Sequence, residues 1–296
     1  MPDKVQIIES VRDAMQGVKE FIPTKDKIEY INLLLKVGFD VIDFSSFVSK
    51  KHIPQLRDAT EVLEGLDTTN SKTKLLALVG SKSGCKAAVK FEKINYIAYP
   101  FSVSETFLKH NLNTDFDKSI KTINFIQNLC VKGGKELNLY FAMAFGNPYG
   151  DEWSNEIVFR WLEFFRKMDV KQISFSDPAA VADKEKIALL FSQFSDEYKD
   201  SGIDLGIHIH SEPHNWYEKV DAAFQNGCRK FDTVINGFGG CPMSKKKLVG
   251  NLKTGDLLSY LDEKKHPYRK LDMNAYRLAL EKADEIFKPQ SPPMKV

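Results

Sequence analysis

Short apolar and β-branched runs recur along the chain, at residues 5–8, 41–44, 75–79, 96–99, 137–143, 172–175, 205–210 and 231–235. Each is short enough for a strand, and several are apolar at consecutive positions, as strands buried on both faces must be. Between them the spacing changes to three and four. Residues 27–37 place Ile28, Ile31, Leu34 and Leu35 on one helical face, and residues 116–129, 157–168, 186–194 and 220–224 follow the same rhythm. Residues 13–17 and 147–150 read as loops that follow strands. Alternation of this kind predicts a parallel sheet. Eight units in a chain of this length predict a closed (β/α)8 barrel, or TIM barrel, in preference to an open doubly wound sheet. The first strand also lacks the G-x-G-x-x-G turn that a dinucleotide-binding sheet would carry there.

No Pro-, Gly- or Ser-rich linker precedes Pro289. The expectation is therefore one domain over residues 1–288, with residues 268–288 as a C-terminal helix and 289–296 as a loose tail. Lys and Arg total 42 against 40 Asp and Glu, a net charge of +2, which gives no reason to expect nucleic acid or an anionic membrane as partner. No apolar run reaches membrane-spanning length. The opening Met1-Pro2-Asp3-Lys4 leads into a strand without a signal-like apolar stretch, and Cys85, Cys130, Cys228 and Cys241 form no C-x-x-C pair. A reduced, cytoplasmic enzyme is expected.

Barrel enzymes carry their chemistry where strands end. Strand one runs into Arg12-Asp13 with Gln16 close behind, either a metal carboxylate beside a substrate clamp or an ordinary surface ion pair. Strand seven ends in His208-Ile209-His210. Side chains two apart on a strand share a face, so both imidazoles can converge on a divalent metal or instead fix loops by hydrogen bonds. After strand eight come Gly237, Gly239 and Gly240 and then Cys241, which deliver a thiol on a loop, with a phosphate cradle as the rival reading. Asn251 can complete a coordination sphere through its amide oxygen, or serve as a turn or cap residue.

Taken in order at successive strand ends, these pieces resemble the 3-hydroxy-3-methylglutaryl-CoA lyase family of metal-dependent TIM barrels, over about residues 4–262. The strongest are Arg12-Asp13 with Gln16, the run 45–50 with Pro54-Gln55, Asn147-Pro148-Tyr149, the run 174–177, His208-Ile209-His210, and 237–242 followed by Gly250-Asn251. The resemblance implies Asp13, His208, His210 and Asn251 as ligands of Mg²⁺ or Mn²⁺. It implies Arg12 facing the thioester carbonyl and Cys241 as the catalytic loop cysteine; by the chemistry of their side chains, His208 or Asp13 is the expected base. Substrate contacts are expected from Arg12, Gln16, Asp43, Asn147 and Asp177, with Asp43 standing where the family carries Glu. The implied reaction splits hydroxymethylglutaryl-CoA into acetoacetate and acetyl-CoA, in a protein that forms a homodimer. Ala14 replaces the family's glycine, Pro178 follows Asp177, and the loop after Cys241 is one residue longer than usual. Two alternatives stay open: a related metal-dependent carbon–carbon lyase or synthase on another acyl-CoA or 2-oxo acid, and a barrel that binds metal or acyl-CoA without turnover.

Overall fold

A computed structural model describes residues 4–49, 51–240 and 249–287. Eight parallel strands close into a barrel in sequence order: β1 (Gln6–Glu9), β2 (Val41–Ser46), β3 (Lys74–Leu78), β4 (Ile94–Ser102), β5 (Glu136–Ala142), β6 (Gln172–Asp177), β7 (Asp204–Ile209) and β8 (Lys230–Thr233). Closure is made by β8 against β1, from Gln6 opposite Lys230 to Glu9 opposite Thr233. The expected (β/α)8 architecture is therefore the one observed.

The connecting helices are α1 (Val11–Gln16), α2 (Thr24–Val37), α3 (Ala59–Glu64), α4 (Lys82–Ala88), α5 (Glu105–Leu112), α6 (Phe116–Lys132), α7 (Asn155–Lys167), α8 (Lys184–Glu197), α9 (Trp216–Gln225), α10 (Thr254–Glu263) and α11 (Met273–Ile286). Many begin where a side chain can accept an otherwise orphaned backbone N–H. Ser81, Ser104, Asp115, Ser154, Asp183 and Asp272 each cap the helix that follows. The C-terminal helix starts at Met273, five residues later than the expected 268, because Asp272 caps it and fixes its first turn. It lies against α2. The expected tail, 289–296, lies outside the described residues.

One expectation is corrected. Residues 13–17 were expected as loop, but Val11–Gln16 form a helix that starts one residue after Ser10. Val11, Ala14 and Met15 bury one face of it, and the Ser10 carbonyl accepts from Asp13 N and Ala14 N. Six residues are too few for a periodic signal. Ala14 suits the helix better than glycine would, since no positive φ is needed here.

Most of the core lies between strands and helices. Inside the barrel, a smaller apolar cluster of Ile8, Val41, Leu76, Leu78, Ala98 and Tyr140 fills one side. The other side is polar. At the base, the buried Lys230 donates to Gln172 Oε1 at 2.7 Å and to Asn138 Oδ1 at 3.3 Å. A register shift in β2 between Asp43 and Ser45 sets Asp43 opposite Leu76 and Ser46 opposite Leu78. Bulges of this sort re-aim side chains at barrel rims.

Candidate active site

Because β1 passes into α1 with only Ser10 between, Arg12 and Asp13 stand side by side on the first helical turn at the barrel mouth. Arg12 is held on both sides. Its Nε and Nη2 donate to Asp43 Oδ2 at 2.9 and 2.7 Å, while Nη1 reaches Asp13 Oδ1 at 3.0 Å and Gln16 Oε1 at 3.2 Å. Gln16 in turn donates to Asp13 Oδ1 at 3.3 Å. Burial alone would lower the Arg12 pKa, but Asp43 and Asp13 raise it further still, so the guanidinium is a fixed charge. Asp43 pays for its place with desolvation, which pushes it up to about 6 against the pull of Arg12. Its Oδ1 is buried without a hydrogen bond among the described residues.

Asp13, His208 and His210 are all buried, and each offers a ligand atom within 4.8 Å of the others. Burial works against the Asp13 carboxylate, yet Arg12, His208, His210 and the Asn251 amide bring it down to about 2. It is therefore an anion under any ordinary condition. His208 presents Nδ1 to Asp232 Oδ2 at 3.0 Å, which sets Nδ1 as the protonated nitrogen and leaves Nε2 with a lone pair. Burial opposes its charged form, but Asp232, and behind it Asp13, hold the imidazole pKa above the ordinary value. His210 goes the other way. Burial and the neighbouring His208 push it down to about 4, so the ring is neutral at pH 7, the state a metal requires. The two rings meet edge to face, with centroids 5.4 Å apart.

Asn251 sits across the mouth, bridged to His210 through the backbone. Its Nδ2 donates to Asp13 Oδ2 and to Phe238 O, both at 2.8 Å, so Oδ1 is the atom with coordinating capacity. The glycine-rich segment explains itself here. A Cβ on Gly239, whose φ is +97°, would lie 2.9 Å from both Asp13 O and Asn251 Nδ2. Only glycine lets this loop pack directly on the two residues.

The structure thus brings together Arg12, Asp13, Gln16, Asp43, His208, His210 and Asn251. Two expected substrate contacts sit apart from this network, occupied by their own loops. Asn147 Oδ1 accepts from Tyr149 N and Asp151 N, and Nδ2 donates to Asp151 O. Asp177, pushed up to about 6 by burial, accepts from Val181 N and Ala182 N, one on each oxygen. Cys241 lies outside the described residues.

Sequence reasoning missed three participants. Asp232 accepts from Tyr140 OH at 2.8 Å and Ser10 Oγ at 3.4 Å as well as from His208. Its signal was a lone carboxylate within an otherwise apolar strand run. Tyr140 packs edge to face on His208, and in β5 it reads as an ordinary strand aromatic. Glu9, fully buried beneath the site, accepts from Ile235 N and Thr254 Oγ1, both at 2.9 Å, and is pushed up to about 8 by burial.

A donor set of one carboxylate, two imidazoles and an amide oxygen, with Asp232 orienting one imidazole, fits a divalent cation. The buried His210 Nδ1 also makes no hydrogen bond of good geometry among the described residues. The HMGL-like family model matches residues 4–281. The chain belongs to the HMGL-like family. Hydroxymethylglutaryl-CoA lyase YngG of Bacillus subtilis is 30% identical over 88% of this chain and 86% of its own. Among HMGL-like folds solved experimentally, the HMG-CoA lyase of Bacillus subtilis superposes with a TM-score of 0.89 at 27% identity, covering 99% of this chain and 97% of that one. An HMG-CoA lyase from Acinetobacter baumannii, solved with coenzyme A and 3-methylmalate, gives 0.87 at 27% identity, over 99% and 94%.

Proposed function

We propose that this chain is a hydroxymethylglutaryl-CoA lyase, which cleaves hydroxymethylglutaryl-CoA to acetoacetate and acetyl-CoA with Mg²⁺ or Mn²⁺ held by Asp13, His208, His210 and Asn251. The observation that carries the reading is the convergence of Asp13, His208 and His210 beside a guanidinium already locked by Asp43. Held by those four residues, the cation would act as a Lewis acid that lowers the pKa of the substrate's hydroxyl.

The reaction breaks the carbon–carbon bond between the hydroxyl-bearing carbon and the carbon next to the thioester. The hydroxyl proton leaves, its oxygen becomes the ketone of acetoacetate, and the bonding pair moves onto the thioester as an enolate. Asp13 takes that proton on the carboxylate oxygen not given to the cation, while His208, its Nδ1–H anchored on Asp232, keeps its Nε2 lone pair free to hold the cation. Arg12 faces the thioester oxygen and stabilises the enolate charge, a role typically worth several kcal/mol in a site closed to water. Gln16 and Asp43 orient Arg12, and Asn147 and Asp177 shape the loops of the acyl-binding wall. Cys241 protonates the enolate carbon to give acetyl-CoA.

The reading includes a cytoplasmic homodimer. No helix among the described residues is long and apolar enough to cross a membrane. The test is acetoacetate release by the purified, reduced protein, beside a Cys241→Ala control. Release that falls steeply in the control supports the assignment, and equal release from both removes the cysteine from the mechanism.

A further inference from the structure

Strand β6 pairs with β7 only as far as Asp177 opposite Ile209. One residue on, His210 joins Asn251 in an antiparallel bridge whose bonds run from Leu252 N to Ile209 O and from Ser211 N to Gly250 O. The carbonyl of His210 takes part in neither. It projects past the end of the ladder into a buried place, where an unsatisfied acceptor costs free energy. Lys219 meets it there. From the first turn of α9, its Nζ donates to His210 O at 3.0 Å.

As a stabilising residue, lysine is a poor choice at this position. Lys219 is 3% exposed. Burial lowers its pKa, and Asp177, Glu212, Asp183 and Glu218 act on it through space; it makes no ion pair among the described residues. Its place four residues into α9 also sets a cation at the end of the helix that favours anions. An apolar side chain of similar length would itself bury at lower cost, but would leave His210 O without a donor. What lysine provides is one charge-assisted hydrogen bond to the backbone of a side chain in the metal-ligating cluster.

We propose that Lys219 is a positioning residue for His210: its ammonium pins the peptide that carries the ring, and so sets the ligand's reach. The inference rests on the reading of His210 as a metal ligand. The test is Mn²⁺ titration calorimetry on the full chain, together with thermal unfolding of the metal-free protein, for wild type, Lys219→Met and His210→Ala. Lys219→Met, in which relief from burying a charge offsets the acceptor left open at His210 O, is expected to unfold near the wild-type temperature while its Kd for Mn²⁺ weakens by ~10-fold or more, the range typical of residues that orient a metal ligand. An unchanged Kd overturns the proposal. So does a metal-free Lys219→Met protein that fails to fold or unfolds well below wild type, because the lysine is then structural. The His210→Ala protein separates the two readings. If it binds Mn²⁺ as wild type does, the metal assignment itself fails. If it loses binding while Lys219→Met keeps the wild-type Kd, only the positioning role fails.

Discussion

Arg12 is the residue on which the electrostatics of the mouth depends, because Asp43 has been taken out of water to hold it. Removing the guanidinium does two separable things. Arg12→Met should lower kcat by ~10²–10³-fold, the range for losing one donor to a developing oxyanion. It should also destabilise the fold by ~3–5 kcal/mol, since Asp43 is left buried and unpaired. The double variant Arg12→Met/Asp43→Asn should recover most of that stability in urea unfolding while activity stays low. Equal stability of the single and double variants would show that the pair is not coupled. Asp232 acts through His208 instead. Asp232→Asn replaces an acceptor-only carboxylate with an amide whose NH2 can face Nδ1 and select the other His208 tautomer, and kcat/KM should fall ~10–100-fold with a small change in melting temperature. At this scale the sequence was informative where residue types are unusual for their place. Arg12, Asp13, His208 and His210 could be picked out because charged or imidazole groups ended apolar runs. Asp232 could not, because one acid inside a strand carries no pattern until its neighbours across the barrel are known.

At the scale of elements, the loops and short helices decide what the strand ends can present. Helix α1 was invisible as a helix because one and a half turns cannot show a period, yet it is what sets Arg12 and Gln16 on the same side of Asp13. Asn147 and Asp177 were legible as polar residues after strands. That their side-chain oxygens are taken by backbone N–H groups of their own loops, and Asn147 Nδ2 by the Asp151 carbonyl, follows from loop geometry, which residue identity does not encode. Glu9 is a clasp between elements, joining β1 to the segment after β8 and to the start of α10. Its pKa rises from an ordinary 4.5 to about 8 in the fold, so the folded state favours the protonated form. That contribution is complete below about pH 4.5 and is lost as pH rises through about 8. Glu9→Gln keeps an acceptor and cannot ionise. Its stability relative to wild type should therefore increase from pH 5 to pH 8 by an amount on the order of 2–4 kcal/mol, readable in urea titrations at each pH. A difference that stays flat with pH would mean that Glu9 is ionised in the fold. Gly239→Ala places a Cβ against Asp13 O and Asn251 Nδ2, and should weaken Mn²⁺ binding more than it lowers the melting temperature.

Across the whole molecule, the barrel was readable because burial on both faces forces strands into apolar runs and every crossover needs a helix. The register of β2 was not, since the shift at Asp43 to Ser45 depends on how β2 meets β3. The closed barrel gathers residues from α1, β2, the end of β7, β8 and the segment after β8 around one point, and its interior is divided into an apolar side and a polar side that leads up to His208. Gathered in this way, the residues are arranged for a metal-dependent carbon–carbon cleavage. The most direct measurement strips the protein with a chelator, supplies hydroxymethylglutaryl-CoA, and follows acetoacetate and acetyl-CoA together before and after Mg²⁺ or Mn²⁺ is restored. The two products are expected to appear in equimolar amounts only after metal is restored. Folded, metal-loaded protein that leaves hydroxymethylglutaryl-CoA intact would contradict this reading.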